Sequence, residues 1–447
     1  MSAPPVFEAP LGRWGGGPPR AGRLALPRDL AELAALLAAR PGPLVPRGAG
    51  RAYSDAALPA PGGVAAGTGR LDRLVAWEGE ALVAEAGVRL GDLAAAALRR
   101  GRFPAVLPGT GAVTVGGAVA ADVHGKTHAA AGGRGGSFAA HLDWVELMGP
   151  SGAVRRLWPG EPLFEATCGG MGLTGVVTAA AVRTVPAETG WMRVETRAVR
   201  GLPALMAAVA EAPGPYVVAW LDGLGAELRG LVSSADHALA AELGPRERAD
   251  PRAERSARAV EVPAALGRLP GGLMAGRAAA LALRLANGVV WRRGGARGLV
   301  PWREVLHPLD GLGRWDRLYG RPGLVQVQLA WPEAQAETAV AEALAEVRAG
   351  GRGPFLAVLK RLGPGRGGLS FPLEGWTLAL DFPAAPWGRA LAARLTAGAA
   401  ARGGRVYLAK DAGLDRAGFT TLEPRAAGFR ALRAEGFGSA LSARLGL

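Results

Sequence analysis

The chain has very little cysteine and no long apolar run. Its 447 residues contain one cysteine, Cys168, which excludes an internal disulfide framework and is typical of a reducing compartment. Uninterrupted apolar runs of about 18 residues, the length that spans a bilayer, do not occur. The N-terminus also lacks the charged-then-apolar order of a signal peptide. We therefore expect a cytoplasmic protein.

The common phosphate-binding motifs and metal-binding clusters are missing as well. GxxxxGK[ST] does not occur, and neither the Gly48/Gly50 pair nor the Gly109/Gly111 pair continues to GxGxxG. Neither pair therefore carries a usual signature of a nucleotide site. His124 and His128 stand four residues apart, but no carboxylate or thiol cluster accompanies them. A metal site is therefore a poor interpretation of this pair, and we predict none.

Acidic residues are fewer than basic ones, which gives the chain a formal net charge of +14. Most of the cations are arginines spread among alanine, glycine and proline, without a nucleic-acid-binding motif. We therefore predict no nucleic-acid partner. A basic surface of this kind favours contact with anionic lipid headgroups or with a phosphorylated substrate.

The most basic stretch runs from Arg246 to Arg297 and contains an apolar-rich helical segment, Leu273–Leu285. Two interpretations of this segment are open. It can be a surface helix packed on its domain, or a mobile flap that touches a membrane or the lipid tail of a substrate. The second interpretation predicts a peripheral contact with the inner face of the plasma membrane.

Glycine, in contrast, is abundant, with 69 residues, and its most informative run lies between Pro108 and His128. Bare backbone in such a run can donate hydrogen bonds to phosphate oxygens without steric cost. Valines between the glycines favour a strand–turn–helix unit over a linker. Spacing alone, however, fits a structural glycine turn equally well. The glycines concerned are Gly109, Gly111, Gly116 and Gly117.

Further segments occur with this run in a fixed order, and together they carry a resemblance. They are RGAGRAYSDAAL (47–58), FAAHLDWVELMGPSGAVRRL (138–157) and CGGMGLTGVV (168–177). With the Pro108–His128 run they resemble flavoenzymes of the vanillyl-alcohol-oxidase type. The C-terminal half narrows this resemblance to the decaprenylphosphoryl-β-D-ribose 2′-oxidase family. Its matching blocks are HPLDGLGRWDRLYG (307–320), LVQVQLAWP (324–332), LSFPLEGWTLALDFP (369–383) and GGRVYLAKD (403–411).

The length of the chain exceeds the usual size of a single core, so two domains are expected. The resemblance implies an α+β fold of PCMH type, in which two lobes grip extended FAD. It places the FAD-binding domain at residues 1–190. A substrate domain with an antiparallel sheet flanked by helices would cover residues 191–404. Residues 405–447 would return to the FAD domain.

The resemblance also implies which residues hold FAD. Arg51 stands where many relatives tether the flavin through histidine, and Ala121 where some carry cysteine, so non-covalent FAD is expected. The implied cofactor residues are Arg47, Gly48, Ala49, Gly50, Arg51, Ala52, Tyr53, Pro108, Gly109, Thr110, Gly111, Val115, Gly116, Gly117, Ala121, His124, Gly125, Gly172, Gly175, Val176, Tyr407 and Lys410.

Oxidation of an alcohol by flavin needs a hydride aimed at the flavin and a nearby group that handles the hydroxyl proton. Lys410 matches the family lysine over the flavin, and it can act as a base or as a fixed cation. His124 can relay the proton or bind a phosphate. Without the matching segment around it, Lys410 would be better explained as a surface lysine in a β-turn. The catalytic residues predicted are Lys410 and His124.

A second set of residues is predicted to bind the substrate. Gln326 and Gln328 alternate on a strand and so share one face, although a half-solvated sheet would give the same pattern. Thr377 and Ala379 replace an amide and a thiol found in relatives, which puts the sugar contacts in doubt. The predicted set is Lys126, Tyr319, Gln326, Gln328, Lys360, Trp376, Thr377 and Asp381.

The function implied by the resemblance is FAD-dependent oxidation of the 2′-hydroxyl of a polyprenylphosphoryl-β-D-ribose to the 2-keto sugar. A separate short-chain NAD(P)H-dependent reductase would complete an epimerisation that yields an arabinose donor for the cell wall. One alternative is a soluble alditol or sugar-lactone oxidase on the same fold. The other is a non-catalytic scaffold in a wall-synthesis complex.

Overall fold

The computed structural model describes residues 2–127, 129–130, 133–222, 227–253, 259–270, 277–292, 294–350, 353–411 and 413–447. His128 and the first part of the Leu273–Leu285 segment lie outside these residues.

The N-terminal part of the described chain forms two sheets. The first contains β1 (Val6–Leu11), β2 (Arg20–Ala25), β3 (Leu44–Arg47) and β4 (Val64–Gly67), with helix α1 (Leu30–Ala38). The second contains β5 (Leu74–Glu78), β6 (Ala81–Glu85), β7 (Arg102–Pro104), β8 (Leu142–Met148), β9 (Val154–Leu157) and β10 (Val176–Pro186), with α2 (Leu90–Leu98), α3 (Val115–Ala120) and α4 (Pro162–Thr167). The strand orders are β1-β2-β4-β3 and β5-β6-β10-β8-β9, and β7 also pairs with β10.

The third sheet follows β10 and is antiparallel throughout. Its strands are β11 (Trp191–Arg200), β12 (Tyr216–Asp222), β13 (Arg229–His237), β14 (Arg297–Pro301), β15 (Leu324–Pro332), β16 (Ala357–Leu362), β17 (Gly375–Pro383) and β18 (Arg405–Val406). Its helices are α5 (Leu202–Ala210), α6 (Pro245–Ala249), α7 (Arg277–Arg292), α8 (Trp302–Leu306), α9 (Glu333–Ala349) and α10 (Pro386–Ala401). The strand order is β14-β11-β13-β12-β16-β17-β15-β18.

The central strands β15 and β17 are covered on both faces. Every residue of β17 is buried, and β15 is buried up to its last residue. Helices α9 and α10 cover one face with the apolar side chains of a large core. The other face meets the N-terminal sheets and carries polar side chains, so it is the face that positions the site.

The C-terminal segment returns to the first sheet through α11 (Arg416–Leu422), α12 (Ala426–Arg430) and α13 (Ala440–Leu445). The Leu44 amide donates to the Gly436 carbonyl at 2.8 Å. Arg444 on α13 forms ion pairs with Asp55 at 2.6 Å and with buried Asp411 at 2.9 Å. Arg444 thereby connects Asp55, which follows the Arg47–Tyr53 turn, with Asp411, which follows Lys410.

Helix α3 differs from the strand–turn–helix unit predicted for the glycine-rich run. The Thr114 hydroxyl accepts from the Gly117 amide at 3.3 Å and caps α3, so the helix begins at Val115 and no strand precedes it within residues 108–114. N-capping by threonine outweighs the β-preference of the valines here.

The mixture of helices and antiparallel sheets confirms the predicted α+β class. The boundaries near residues 190 and 404 stay predictions about domains. Among the helices in the described ranges, none is both long enough and apolar enough to cross a bilayer.

Candidate flavin and substrate site

A row of side chains crosses the polar face of the third sheet. Cross-strand pairs place Trp220 beside Val358, Val358 beside Ala379, and Ala379 beside Gln328. The Tyr407 amide donates to the Gln328 carbonyl at 2.9 Å and extends the row past β15. Paired residues on neighbouring strands share a face, so this row forms one continuous surface.

This surface packs against the segment that follows α3, residues 121–126. The Tyr407 hydroxyl donates to the Ala121 carbonyl at 3.0 Å, and the Lys360 ammonium donates to the Gly125 carbonyl at 3.3 Å. The Lys126 carbonyl accepts from the Val217 amide at 2.9 Å. The sheet and the glycine-rich run are therefore joined by hydrogen bonds at several points.

His124 is buried at the centre of this junction. Its Nε2 lies 2.8 Å from Gln328 Nε2, and that amide also donates to the Thr377 hydroxyl at 3.0 Å. The ring lies against Tyr407 and Phe371, with centroids 5.2 and 5.5 Å away. Because an amide nitrogen donates, His124 Nε2 accepts and the ring proton is assigned to Nδ1.

Three lysines approach the same surface: Lys126, Lys360 and Lys410. Burial lowers the pKa of Lys126 and of Lys410 to about 8. Burial also lowers the pKa of Lys360 to about 7, and the charges of Lys410 and Lys126 lower it further. Lys126 is held by the Val305 carbonyl. Burying several positive charges together is unfavourable, and a bound anionic ligand would reduce this free-energy penalty.

One end of the surface carries buried polar atoms whose hydrogen bonding is incomplete. Within the described part of the chain, no hydrogen bond meets the full distance and angle limits at Asp381 Oδ2, Tyr319 Oη, Gln326 Oε1 or Gln328 Oε1, although the Tyr319 hydroxyl faces the Asp381 carboxyl group. Asp381 and Gln326 are direct cross-strand partners. Buried polar atoms are nearly always satisfied in folded proteins. These four atoms therefore indicate a polar ligand with several hydroxyl groups.

The backbone of residues 48–52 forms a second set of open groups. Their amides, like those of Gly109 and Thr110, donate to no residue in the ranges described. The two segments meet at Gly48, where an added Cβ would lie 2.2 Å from Thr114 Oγ1, and Gly50 has a φ of +65°. Open amides at such a junction fit the pyrophosphate of FAD.

Other amides in the glycine-rich run are already engaged, which narrows the predicted cofactor set. Gly111 donates to Asp310 Oδ2 at 2.8 Å, so the domain containing the third sheet holds this turn. Val115 and Gly116 donate to the Val88 and Ala86 carbonyls at 2.8 Å. Gly117 donates to the α3 cap. These four amides stabilise the turn and the start of the helix, and a phosphate would have to displace their partners.

The side chains predicted around the flavin have distinct surroundings. Arg47 donates to the Ala57 and Gly12 carbonyls at 2.9 and 2.8 Å, so its guanidinium shapes the turn. Arg51 stacks on Trp14, 4.2 Å from the ring centroid. Tyr53 lies 5.8 Å from the Lys410 ammonium.

The remaining members of the predicted cofactor set lie in turns or in the core. A Cβ added at Gly172 would meet Pro46, one added at Gly175 would meet the Met148 carbonyl, and Val176 is buried in the core beneath the first sheet. Ala49, Ala52 and Pro108 lie within the two turns, and the Thr110 hydroxyl accepts from the Ala112 amide at 3.2 Å.

Trp376 is separated from the other predicted substrate residues. It pairs with Trp331 on the opposite face of the third sheet, and its indole donates to Glu333 at 3.0 Å. Because neighbouring residues on a strand point to opposite faces, Trp376 cannot share the surface of Thr377. Its assignment to the substrate pocket is therefore corrected to a core role.

Sequence reasoning missed Trp220, Phe371 and Asp310. Trp220 joins the surface through the position of β12 in the sheet, and Phe371 contacts His124 across a long sequence separation. The local sequence around Trp220 and Phe371 does not predict these contacts, because they depend on how distant segments are arranged in the fold.

The comparisons with known proteins agree with this geometry. The family described as an FAD binding domain matches residues 22–157. The decaprenylphosphoryl-beta-D-ribose oxidase of Mycolicibacterium smegmatis is 34% identical over 86% of this chain and 83% of that protein. An uncharacterized protein from the mprA 5′ region of Streptomyces coelicolor is 37% identical over 80% of this chain and 100% of that protein.

The close approach at Gly48 yields a test of the cofactor turn. Gly48→Ala should weaken FAD binding by about tenfold or more, because the new methyl group would force the turn away from Thr114. Titration of the flavin-depleted protein with FAD would measure this. Gly69→Ala is the matched control, since a Cβ there meets open space, and an unchanged affinity for Gly48→Ala would contradict the assignment.

Proposed function

The chain belongs to the decaprenylphosphoryl-β-D-ribose oxidase family of FAD-dependent oxidoreductases, and on this premise we propose that it oxidises the 2′-hydroxyl of a polyprenylphosphoryl-β-D-ribose. The product would be the 2-keto sugar, and the oxidation would be the first half of an epimerisation toward an arabinose donor for cell-wall polysaccharide.

One observation supports this proposal above the others. Hydrogen-bond acceptors that lack a donor among the described residues lie on the face of the third sheet that the buried lysines reach. The side-chain oxygens of Gln326, Gln328 and Asp381 can accept from sugar hydroxyls. Lys126 and Lys360 reach the same surface and can neutralise a phosphate. An apolar alcohol would leave both sets of groups uncompensated. A phosphorylated sugar satisfies both at once.

The chain's own residues would orient the sugar and stabilise charge. Bound FAD supplies the acceptor for the hydride. Lys410 carries a positive charge beside Tyr53 and can stabilise the negative charge that develops on the reacting oxygen. His124, fixed by Gln328, keeps its position on the substrate surface. Its predicted catalytic role stays a prediction.

The substrate can be tested by anaerobic spectroscopy. Polyprenylphosphoryl ribose should bleach the flavin band near about 450 nm, because hydride transfer reduces the cofactor. Bleaching by free alditols or sugar lactones, and not by the lipid-linked ribose, would favour the soluble oxidase. Purified protein that has no flavin and cannot bind added FAD would favour a non-catalytic scaffold.

The FAD is proposed to be non-covalent. Residues 44–60 contain no histidine, and Arg51, at the position of the family's tethering residue, stacks on Trp14. Ala121 has no thiol for a thioether link.

Acid precipitation of the protein should therefore release all of its flavin into the supernatant. The absorbance of the supernatant and of the redissolved pellet would be compared. Flavin that remains with the pellet after washing in denaturant would contradict non-covalent binding.

A 2-keto sugar product requires a second enzyme if the epimerisation is to be completed. Reduction from the opposite face of the sugar would use NAD(P)H, and we propose a short-chain reductase as the partner that consumes this product. The basis for this partner is the chemistry of the product.

We also propose that the protein contacts a membrane through helix α7. One side of this helix is fixed to the protein. Asn287 donates to buried Asp222 at 3.0 Å, and Trp291 lies beneath Arg200 and Arg229. These contacts pack the C-terminal half of α7 on the third sheet, as the surface-helix interpretation predicts.

The described C-terminal half of α7 exposes apolar side chains next to cations. Leu285 is 66% exposed, and Val289 and Val290 are each 46% exposed. Arg284 and Arg292 are exposed on the same helix. An apolar stripe bordered by arginines suits the interface of an anionic membrane, from which a lipid-linked substrate could be collected.

Vesicle co-sedimentation would test this contact. The double variant Leu285→Glu/Val289→Glu should bind mixed phosphatidylcholine and phosphatidylglycerol vesicles about tenfold more weakly, because it removes apolar surface and adds negative charge. Val75→Glu changes a valine that is 57% exposed on β5 and serves as the control. Equal binding of both variants would exclude α7 as the contact.

A further inference from the structure

We propose that Asp381 is the general base of the reaction and accepts the proton of the substrate hydroxyl on its Oδ2 oxygen. This inference rests on the proposed function and deepens it. The sequence assigned Asp381 to substrate binding and left the proton to Lys410 or His124.

A general base must present a lone pair to the substrate. The Nε2 lone pair of His124 is directed at the Gln328 amide. Lys126 and Lys360 donate their ammonium protons to main-chain carbonyls. Lys410 has a pKa of about 8 and is mainly protonated at neutral pH. The Nε2 lone pair of His124 is therefore already engaged, and the lysine side chains are placed as donors to main-chain carbonyls or as a cation.

Asp381 differs from these groups in its geometry. It is completely buried on the substrate-facing side of β17. Its Oδ1 accepts from the Leu356 amide at 2.6 Å, which fixes the orientation of the carboxyl group. The Tyr319 hydroxyl faces the carboxyl group closely enough to lower its pKa, but no donor among the described residues meets the full distance and angle limits of a hydrogen bond to Oδ2. One oxygen is anchored, and the other is available to a ligand.

The surroundings of Asp381 suit proton transfer near neutral pH. Burial raises the pKa of Asp381 to about 7, and the Leu356 amide, the Tyr319 hydroxyl and the Lys410 charge oppose this rise. Tyr53 is the other titratable group that faces it. The carboxylate form therefore predominates above about pH 7, and a base with this pKa can both take up and release a proton.

The proposed step accounts for the proton and for both electrons of the oxidation. The hydroxyl O–H bond breaks and an Oδ2–H bond forms on Asp381, while the carbon that bears the hydroxyl loses a hydride to the flavin. The alcohol is oxidised by two electrons to a ketone, and the cofactor is reduced by the same two electrons. Lys410 stabilises the negative charge on oxygen until the carbonyl has formed.

Asp381→Asn separates the catalytic role from a structural one. Asparagine keeps an oxygen for the Leu356 amide but cannot take up the proton. In anaerobic stopped-flow measurements from about pH 5 to about pH 9, flavin reduction in the wild type should accelerate up to about pH 7, as Asp381 ionises, and slow above about pH 8, as Lys410 loses its positive charge. The variant should lose this acceleration and react about 100-fold more slowly, with FAD affinity retained.

Asp415→Asn is the matched control. Asp415 caps the N-terminus of α11, and asparagine caps helices equally well, so the same chemical change is made outside the proposed substrate surface. It should keep the rate and the pH profile. Asp381→Asn with a wild-type pH profile would overturn the proposal. So would loss of the acceleration in Lys410→Met alone, which would make the lysine the base.

Two further outcomes keep this inference distinct from the proposed function. If only a free alditol reduces the wild-type flavin, the proposed substrate is wrong, and the same pH comparison with that alditol still decides the role of Asp381. Infrared difference spectra give a readout without turnover. A protonated-carboxyl band that disappears near pH 7 in the wild type and is absent from Asp381→Asn is expected, and a band that persists at all pH values would overturn the proposal.

Discussion

The junction between residues 121–126 and the polar face of the third sheet is the constraint on which the site depends. His124, Gly125 and Lys126 each contact that face through a hydrogen bond. These groups are buried away from water, so each bond lost would leave a polar atom uncompensated. The junction therefore fixes the substrate surface relative to the backbone that would hold FAD.

Charge is unevenly distributed across this junction. Lys126, Lys360 and Lys410 face the surface, and Asp381 is the carboxylate that influences Lys410. Burial lowers the pKa values of all three lysines, and the charges of Lys410 and Lys126 lower that of Lys360 further. A bound phosphate would raise these pKa values again. The electrostatics of the site thus favour an anionic substrate, and the orphaned acceptors at the Asp381 end favour hydroxyl groups. A lipid-linked phosphosugar combines both features, and the apolar face of α7 provides a surface for its membrane.

Much of the fold could be predicted from local pattern and family resemblance. The α+β class was implied by the family resemblance, and Gln326 and Gln328 share a face because strand periodicity is two. Local sequence pattern gave wrong or incomplete predictions where contacts within the folded chain determine the local structure. Val115 begins a helix because Thr114 caps it, and the amide of Gly111 is engaged by Asp310, 199 positions away.

The sequence by itself placed the glycine turns, because these depend on residue type and spacing. Through the family resemblance it also implied the cofactor class and most of the polar residues on the substrate surface. The tertiary structure decided which of them meet. Trp376 is excluded from the surface and Trp220 joins it, because the strand order of the third sheet assigns each residue to a face. The free oxygen of Asp381 likewise depends on Leu356 of the neighbouring strand segment, a contact that no local pattern encodes.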